Sequence, residues 1–321
     1  MKDSKRYFFN YNKGLPFFIL KTVLFVGAVG YIFWHLQNKT ALHKGFWETL
    51  SIGYHHHQLP FLLLAILLIP VNWGLEAKRW QTLVFPFYPL SYKHAVTGVL
   101  SGVAASFFTG KLLGLTGGRL LHIPKGHKTK ALIPLGISHF LLTLVTAIAC
   151  MLGYGFLYGI PTSTYYLFPL LIVGMSCSFY LFKKYQGWLF EKKPHWKVQW
   201  EVYTRIPKRI VMKAWWISIF RYLVFLMQFY LVLLFFSVNI DFLHTIALIT
   251  MIFGIKTFVP TFSAIGDLGI REASSLYLFQ QYGIEEIGVI YASLSLWLLN
   301  ILFPTLVGLL LNHSLLKPKH E

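Results

Sequence analysis

Residues 260–277 read PTFSAIGDLGIREASSLY, which sets Asp267, Arg271 and Glu272 among glycines between the apolar runs ITMIFG and VIYASLSLWLLNILF. Only 11 Asp and Glu occur in the whole chain, so two carboxylates beside an arginine at this place need a reason. The residue types suit an anion. A helix beginning near Gly269 would turn unpaired N–H groups toward a guest. Glycines let a backbone come close, and the planar fork of Arg271 matches phosphate in two hydrogen bonds. Asp267 and Glu272 would either hold Arg271 in place or couple movement to protons. The plainer alternative is an internal ion-pair knot of Asp267, Arg271 and Glu272 that fixes the loop.

A second stretch, about half a chain earlier, has a similar make-up. It ends GLTGGR, with Gly117, Gly118 and Arg119, and Lys111 heads it. Each stretch reads as a short apolar run, a Gly-rich break and an arginine opening a new helix. In NWGLEAKRW, Glu76 and Arg79 lie three residues apart, where they either neutralise each other at a membrane rim or line the mouth of a cavity. The candidate binding set for a phosphate-bearing lipid headgroup is therefore Glu76, Arg79, Lys111, Gly117, Gly118, Arg119, Asp267, Gly269, Arg271 and Glu272. No catalytic residue, metal ligand or cofactor is expected. The run His55-His56-His57, with His43 nearby, lacks an acidic partner and is not read as a metal site. Transferase chemistry would call for paired carboxylates, and the three Asp (Asp3, Asp241, Asp267) form no such pair.

The elements that must position these residues follow from composition. The chain is 56% hydrophobic and 12% charged, and runs such as PFLLLAILLIPVNWGL and YLVFLMQFYLVLLFFSV approach the roughly 20 residues that cross a bilayer core. The expected fold is all-α: a polytopic membrane bundle in one transmembrane domain, residues 1–321, with about six full spans and two re-entrant or broken segments. Cys150 and Cys177 lie inside apolar runs and read as buried small residues. A net charge of +18 would suggest nucleic acid in a soluble domain, but here positive-inside loops account for it. No nucleic-acid partner is expected, and a homo-oligomer is left open.

Spans are read at about 15–36, 59–75, 131–158, 165–182, 214–238 and 287–312, with the second continuing as a helix through NWGLEAKRW. The stretch 94–110 is rich in Gly, Ala, Ser and Thr, and a full crossing there would put five basic residues outside. A pair entering and leaving on the cytoplasmic face avoids that. The segment 245–283 reads as a dip from the opposite face, with full crossing by 245–262 as the alternative. This topology places 23 of the 29 Lys and Arg inside, along with both termini, and leaves Lys21, Arg221, Lys256 and Arg271 at membrane depth. The basic loop 183–213, bearing Trp188, Trp196 and Trp200, suits a surface of anionic headgroups, although a plain positive-inside linker reads equally well. Broken segments at corresponding, opposed positions would mark an inverted repeat with a transport site near the midplane; chance similarity of two Gly-rich loops is the alternative.

NWGLEAKRW (72–80), GGRLLHI (117–123) and above all PTFSAIGDLGIREASSLYLFQQYGI, followed by a span ending in PTLVGLLL, resemble the lysylphosphatidylglycerol synthase transmembrane region, a flippase-like integral membrane family. The resemblance covers essentially the whole chain. Its most specific motif is Pro260 followed by Gly266-Asp267-Leu268-Gly269-Ile270-Arg271-Glu272. It implies a lipid translocase in a cell (inner) membrane. In the fused relatives this region moves aminoacylated phosphatidylglycerol between leaflets while a separate soluble domain performs the aminoacyl transfer. This chain ends at Glu321, just beyond its last span, so synthase activity is not implied and the transported lipid stays open. The other classes to weigh are a membrane-embedded glycosyl- or phosphotransferase and a non-transporting accessory protein that binds lipid or a partner.

Overall fold

The computed structural model describes residues 58–159, 184, 194–238, 240–259, 264–284 and 286–316, leaving aside the side chains of 108, 194–199, 264–268, 286 and 312–316. The expected spans at 15–36 and 165–182, the histidine cluster and most of the basic loop lie outside the described residues.

The regular elements among the described residues are all helical. In chain order they are α1 (Leu59–Val84), α2 (Tyr92–Thr109), α3 (Lys111–Arg119), α4 (Lys125–Tyr158), α5 (Pro194–Arg205), α6 (Lys208–Phe235), α7 (Phe242–Phe258), α8 (Ala264–Gln280), α9 (Glu286–Trp297) and α10 (Phe303–Leu316). A π-helical turn, Leu298–Leu302, joins the last two. Among the described residues, four helices are long and apolar enough to cross a membrane: Leu59–Val84, Lys125–Tyr158, Lys208–Phe235 and Ile287–Leu311.

Local sequence explains the boundaries. Ser91 caps α2 by accepting from the His94 N–H at 3.3 Å, and Asp241 caps α7 by accepting from Leu243 N at 3.0 Å. Gly110, at φ 90°, takes a conformation costly to other residues and turns α2 into α3. Val259 is extended, as the residue before a proline prefers, and ends α7. Pro304 has no N–H to give the carbonyl of Asn300, and a π turn lies just before it.

The distribution of polarity is inverted relative to a soluble protein. Leu67, Leu113, Leu152 and Leu310 are 65%, 72%, 70% and 73% exposed, whereas Arg79, Arg119 and Arg271 are 1%, 4% and 2% exposed. Leucines facing outward and arginines facing inward are what a lipid solvent selects. The chain is a multi-pass membrane protein.

Small residues set the packing. α1 and α6 run antiparallel at the centre, joined where the Gln228 amide donates to the Ala65 carbonyl at 3.0 Å and Arg79 donates to Ser218 Oγ at 3.1 Å. α2 and α3 form a close antiparallel hairpin: a Cβ on Gly118 would sit 2.1 Å from Gly102 N, and one on Gly114 2.1 Å from Ser106 N. α2 leans on α10 at Gly308, and α7 leans on α4 at Gly153 and Gly254. Such contacts bring backbones close where helices gain little from the hydrophobic effect.

Candidate functional site

Asn72, Glu76 and Arg79 follow one another at helical spacing and lie on one buried face of α1. Three guanidiniums meet the Glu76 carboxylate there. Arg79 reaches it from the next turn, Arg119 from the end of α3, and Arg221 from α6 at 3.2 Å. Glu76 is 2% exposed, and even Arg221, the most open of the three, is only 16% exposed. The Arg221 guanidinium lies 5.7 Å from the centre of the Trp73 ring, within cation–π range. Arg119 owes its place to the hairpin, because the Gly118–Gly102 contact brings the end of α3 against the bundle.

Beside this cluster is a cavity of about 360 Å³. Its described wall carries Arg79, Arg119 and Arg221 together with Lys111 of α3 and Lys256 of α7, and the carboxylate of Glu76. An aromatic side is formed by Trp73, Tyr222, Phe225 and Phe253, the last two stacked at 4.7 Å. Lys256 Nζ lies 6.0 Å over the Phe225 ring. His139, Thr143, Thr146 and Asn300 add polar groups to the lining. Asn72 Nδ2 donates to Asn300 Oδ1 at 2.9 Å, tying the π turn of the last span to α1. This volume falls in the small-molecule range, roughly 300–1,000 Å³, and suits a headgroup-sized anion.

The structure brings together four residues of the sequence-derived set: Glu76, Arg79, Lys111 and Arg119. Glu76 and Arg79 are buried and line the cavity. Arg119 closes α3 and does not open a new helix, a correction that follows from Gly110 being the break. Gly118 gives its close approach to another helix, and Gly117 has open space around it. Gly269 is also in open space, five residues inside α8; the helix starts at Ala264, so the Gly269 N–H is not one of its four unpaired first donors.

Arg271 stands apart from the cavity wall. Its Nε donates to Ser293 Oγ at 2.9 Å and its Nη2 to the Ser293 carbonyl at 2.7 Å, with Glu272 at 3.6 Å. These contacts pin α8 to α9. The side chain of Asp267 lies outside the described ones.

Arg221 and Lys256 were not in the candidate set, yet the sequence carried their signal. Each is a lone cation inside an apolar run, WWISIFRYLVFL and ITMIFGIKTF, and an ionisable residue in such a run is by default functional. Trp73, His139 and Asn300 gave no comparable signal, because a single helix does not reveal which neighbours converge on it.

At the N-terminal end of the hairpin, His94 and His122 stack with ring centres 4.6 Å apart, and His122 Nε2 lies 2.9 Å from Thr97 Oγ1. Partial burial, and then the proximity of His94, hold the His122 imidazole below its ordinary pKa.

No protein-family model matches the chain, and no curated protein matches it.

Proposed function

We propose that the protein transports a phosphate-bearing lipid between membrane leaflets, with the headgroup passing through the cavity beside Glu76. One observation carries this reading. Two buried guanidiniums and a third that is largely covered share one carboxylate on the wall of a headgroup-sized cavity, inside a bundle whose outer face is rich in leucine and other apolar residues. Burying unbalanced charge costs several kcal/mol per ion unless a counter-ion joins it, so such a cluster has a purpose beyond stability. A cationic cavity that also carries polar and aromatic groups suits a headgroup whose chains stay in lipid.

The packing supports an inverted repeat of α1–α4 and α6–α10. Exchanging α1 with α6, α2 with α7, and α4 with the α9–α10 helix turns several of the helix contacts into one another, while the α8–α9 contact has no α3–α4 counterpart of similar extent. The α2–α10 contact becomes α7–α4, α1–α4 becomes α6–α9, and the hairpin α2–α3 becomes α7–α8. The antiparallel course of α1 and α6 is what inversion requires. In this reading α2–α3 and α7–α8 are the two half-spans, entering from opposite faces, as in transporters built from inverted repeats. The chain sits in a cell membrane with both termini cytoplasmic, and the likeness to the lysylphosphatidylglycerol synthase transmembrane region agrees with a translocase.

The test is leaflet exchange of a labelled phospholipid in proteoliposomes. Arg119→Gln and Arg221→Gln, each shown to be folded, are expected to lose exchange. Exchange at the native rate in both variants would contradict the proposal.

A further inference from the structure

We propose that the anion suited to this cavity is a phosphomonoester dianion, the terminal phosphate of a lipid, and not a phosphodiester or an aminoacylated headgroup. The inference rests on the lipid-transport reading of the same site and narrows its substrate class. Among the described side chains, Arg79, Arg119 and Arg221 bring three positive charges to the single negative charge of Glu76, which leaves this cluster a formal surplus of two. Glu76, Arg79 and Arg119 are buried and Arg221 is largely so, which leaves water to screen that surplus poorly. A phosphomonoester carries about −1.5 to −2 charges at neutral pH and three strong acceptor oxygens. It therefore balances the cluster and gives each guanidinium an oxygen. A phosphodiester brings one charge and two terminal oxygens, leaving one cation unmatched. An aminoacylated headgroup adds an ammonium beside the three guanidiniums, and like charges in a confined site repel.

The experiment uses the purified full chain in detergent and three probes: short-chain phosphatidic acid, the short-chain phosphatidylmethanol that differs from it by one methyl ester, and inorganic phosphate. Affinity is read from the ligand-dependent rise in the thermal midpoint. Phosphatidic acid is expected to bind about tenfold or more tightly than phosphatidylmethanol, the effect of roughly one well-placed charge. Arg221→Gln should erase that preference, and Arg221→Lys, which keeps the charge, should preserve part of it. Equal affinity of the native protein for the two lipids would overturn the inference, as would a preference that survives Arg221→Gln unchanged. If Arg221→Gln fails to fold, the native comparison and Arg221→Lys decide the matter alone. Inorganic phosphate binding as tightly as phosphatidic acid would support the dianion site and overturn the lipid as its source. Leaflet exchange without a phosphatidic acid preference would sink this inference alone, and the preference without exchange would sink the transport reading alone.

Discussion

Arg119 and Arg271 are both buried arginines in hairpins that follow short apolar helices, yet their surroundings differ in kind. Arg271 is held by Ser293 through its side chain and its carbonyl and has Glu272 beside it. Arg119 shares one carboxylate with Arg79 and Arg221 on the wall of a cavity. A guanidinium whose donors are taken up by its own fold locks two helices together. Guanidiniums that share one carboxylate leave positive charge for an anion from outside, which is the role proposed for this cluster. Arg271 of the richer motif thus fastens two helices, and the sparser one, NWGLEAKRW with GGR, lines the cavity proposed as the site.

The largest expected effect probes that contrast at its centre. Glu76→Gln leaves three guanidiniums, two of them buried, without their shared carboxylate and should cost about 3–5 kcal/mol of stability, as removing one side of a buried ion pair does. Arg271→Gln, which leaves Ser293 and Glu272 to rearrange, should cost less, about 1–3 kcal/mol. Thermal unfolding in detergent compares the two, and a larger loss for Arg271→Gln would reverse the assignment of roles.

The hairpins differ in their glycines as well. Gly118→Ala would press a methyl onto the backbone of Gly102 and is expected to cost about 1–3 kcal/mol by overpacking while displacing Arg119. Gly117→Ala, one residue away in open space, is its control and should be neutral or stabilising by up to about 1 kcal/mol. Equal effects of the two would refute the close contact between α2 and α3.

Smaller still is Gly269→Ala. Nothing lies within 4 Å of a Cβ built there, and the residue is helical. Stability should hold or rise by up to about 1 kcal/mol, and leaflet exchange should persist. Lost exchange in a folded Gly269→Ala protein would return the ligand to the Asp267–Arg271 stretch.

Much of the fold was legible because membrane helices announce themselves by length and apolarity. The segments read at 131–158, 214–238 and 287–312 appear as Lys125–Tyr158, Lys208–Phe235 and Glu286–Leu316, and the helix through NWGLEAKRW is continuous to Val84. Helix starts near glycine were less legible. Gly269 lies within α8 because one glycine costs a helix only about 1 kcal/mol, which its neighbours offset. The site was half legible. Spacing along α1 paired Glu76 with Arg79, but the arrival of Arg119 and Arg221 from other helices depends on a hairpin contact and on helix rotation that no local pattern encodes.

The smallest effect concerns the end of the α2–α3 hairpin. Folding disfavours protonated His122, so the unfolded ring, with its ordinary pKa of 6.5, takes the proton first. Stability is full above that pH and declines as pH falls below it. The thermal midpoint should therefore drop more between about pH 7.5 and 5.5 in the native protein than in His122→Gln. An equal drop in both would remove His122 from the account.

The most direct test of the central claim is to locate a bound phosphate. A structure of the full chain with a short-chain phosphatidic acid, its phosphorus marked by a heavier substituent, should show the headgroup in the cavity within hydrogen-bond reach of Arg119 and Arg221. A headgroup seated instead against Arg271 and the 264–269 turns, with the cavity beside Glu76 unchanged, would contradict it.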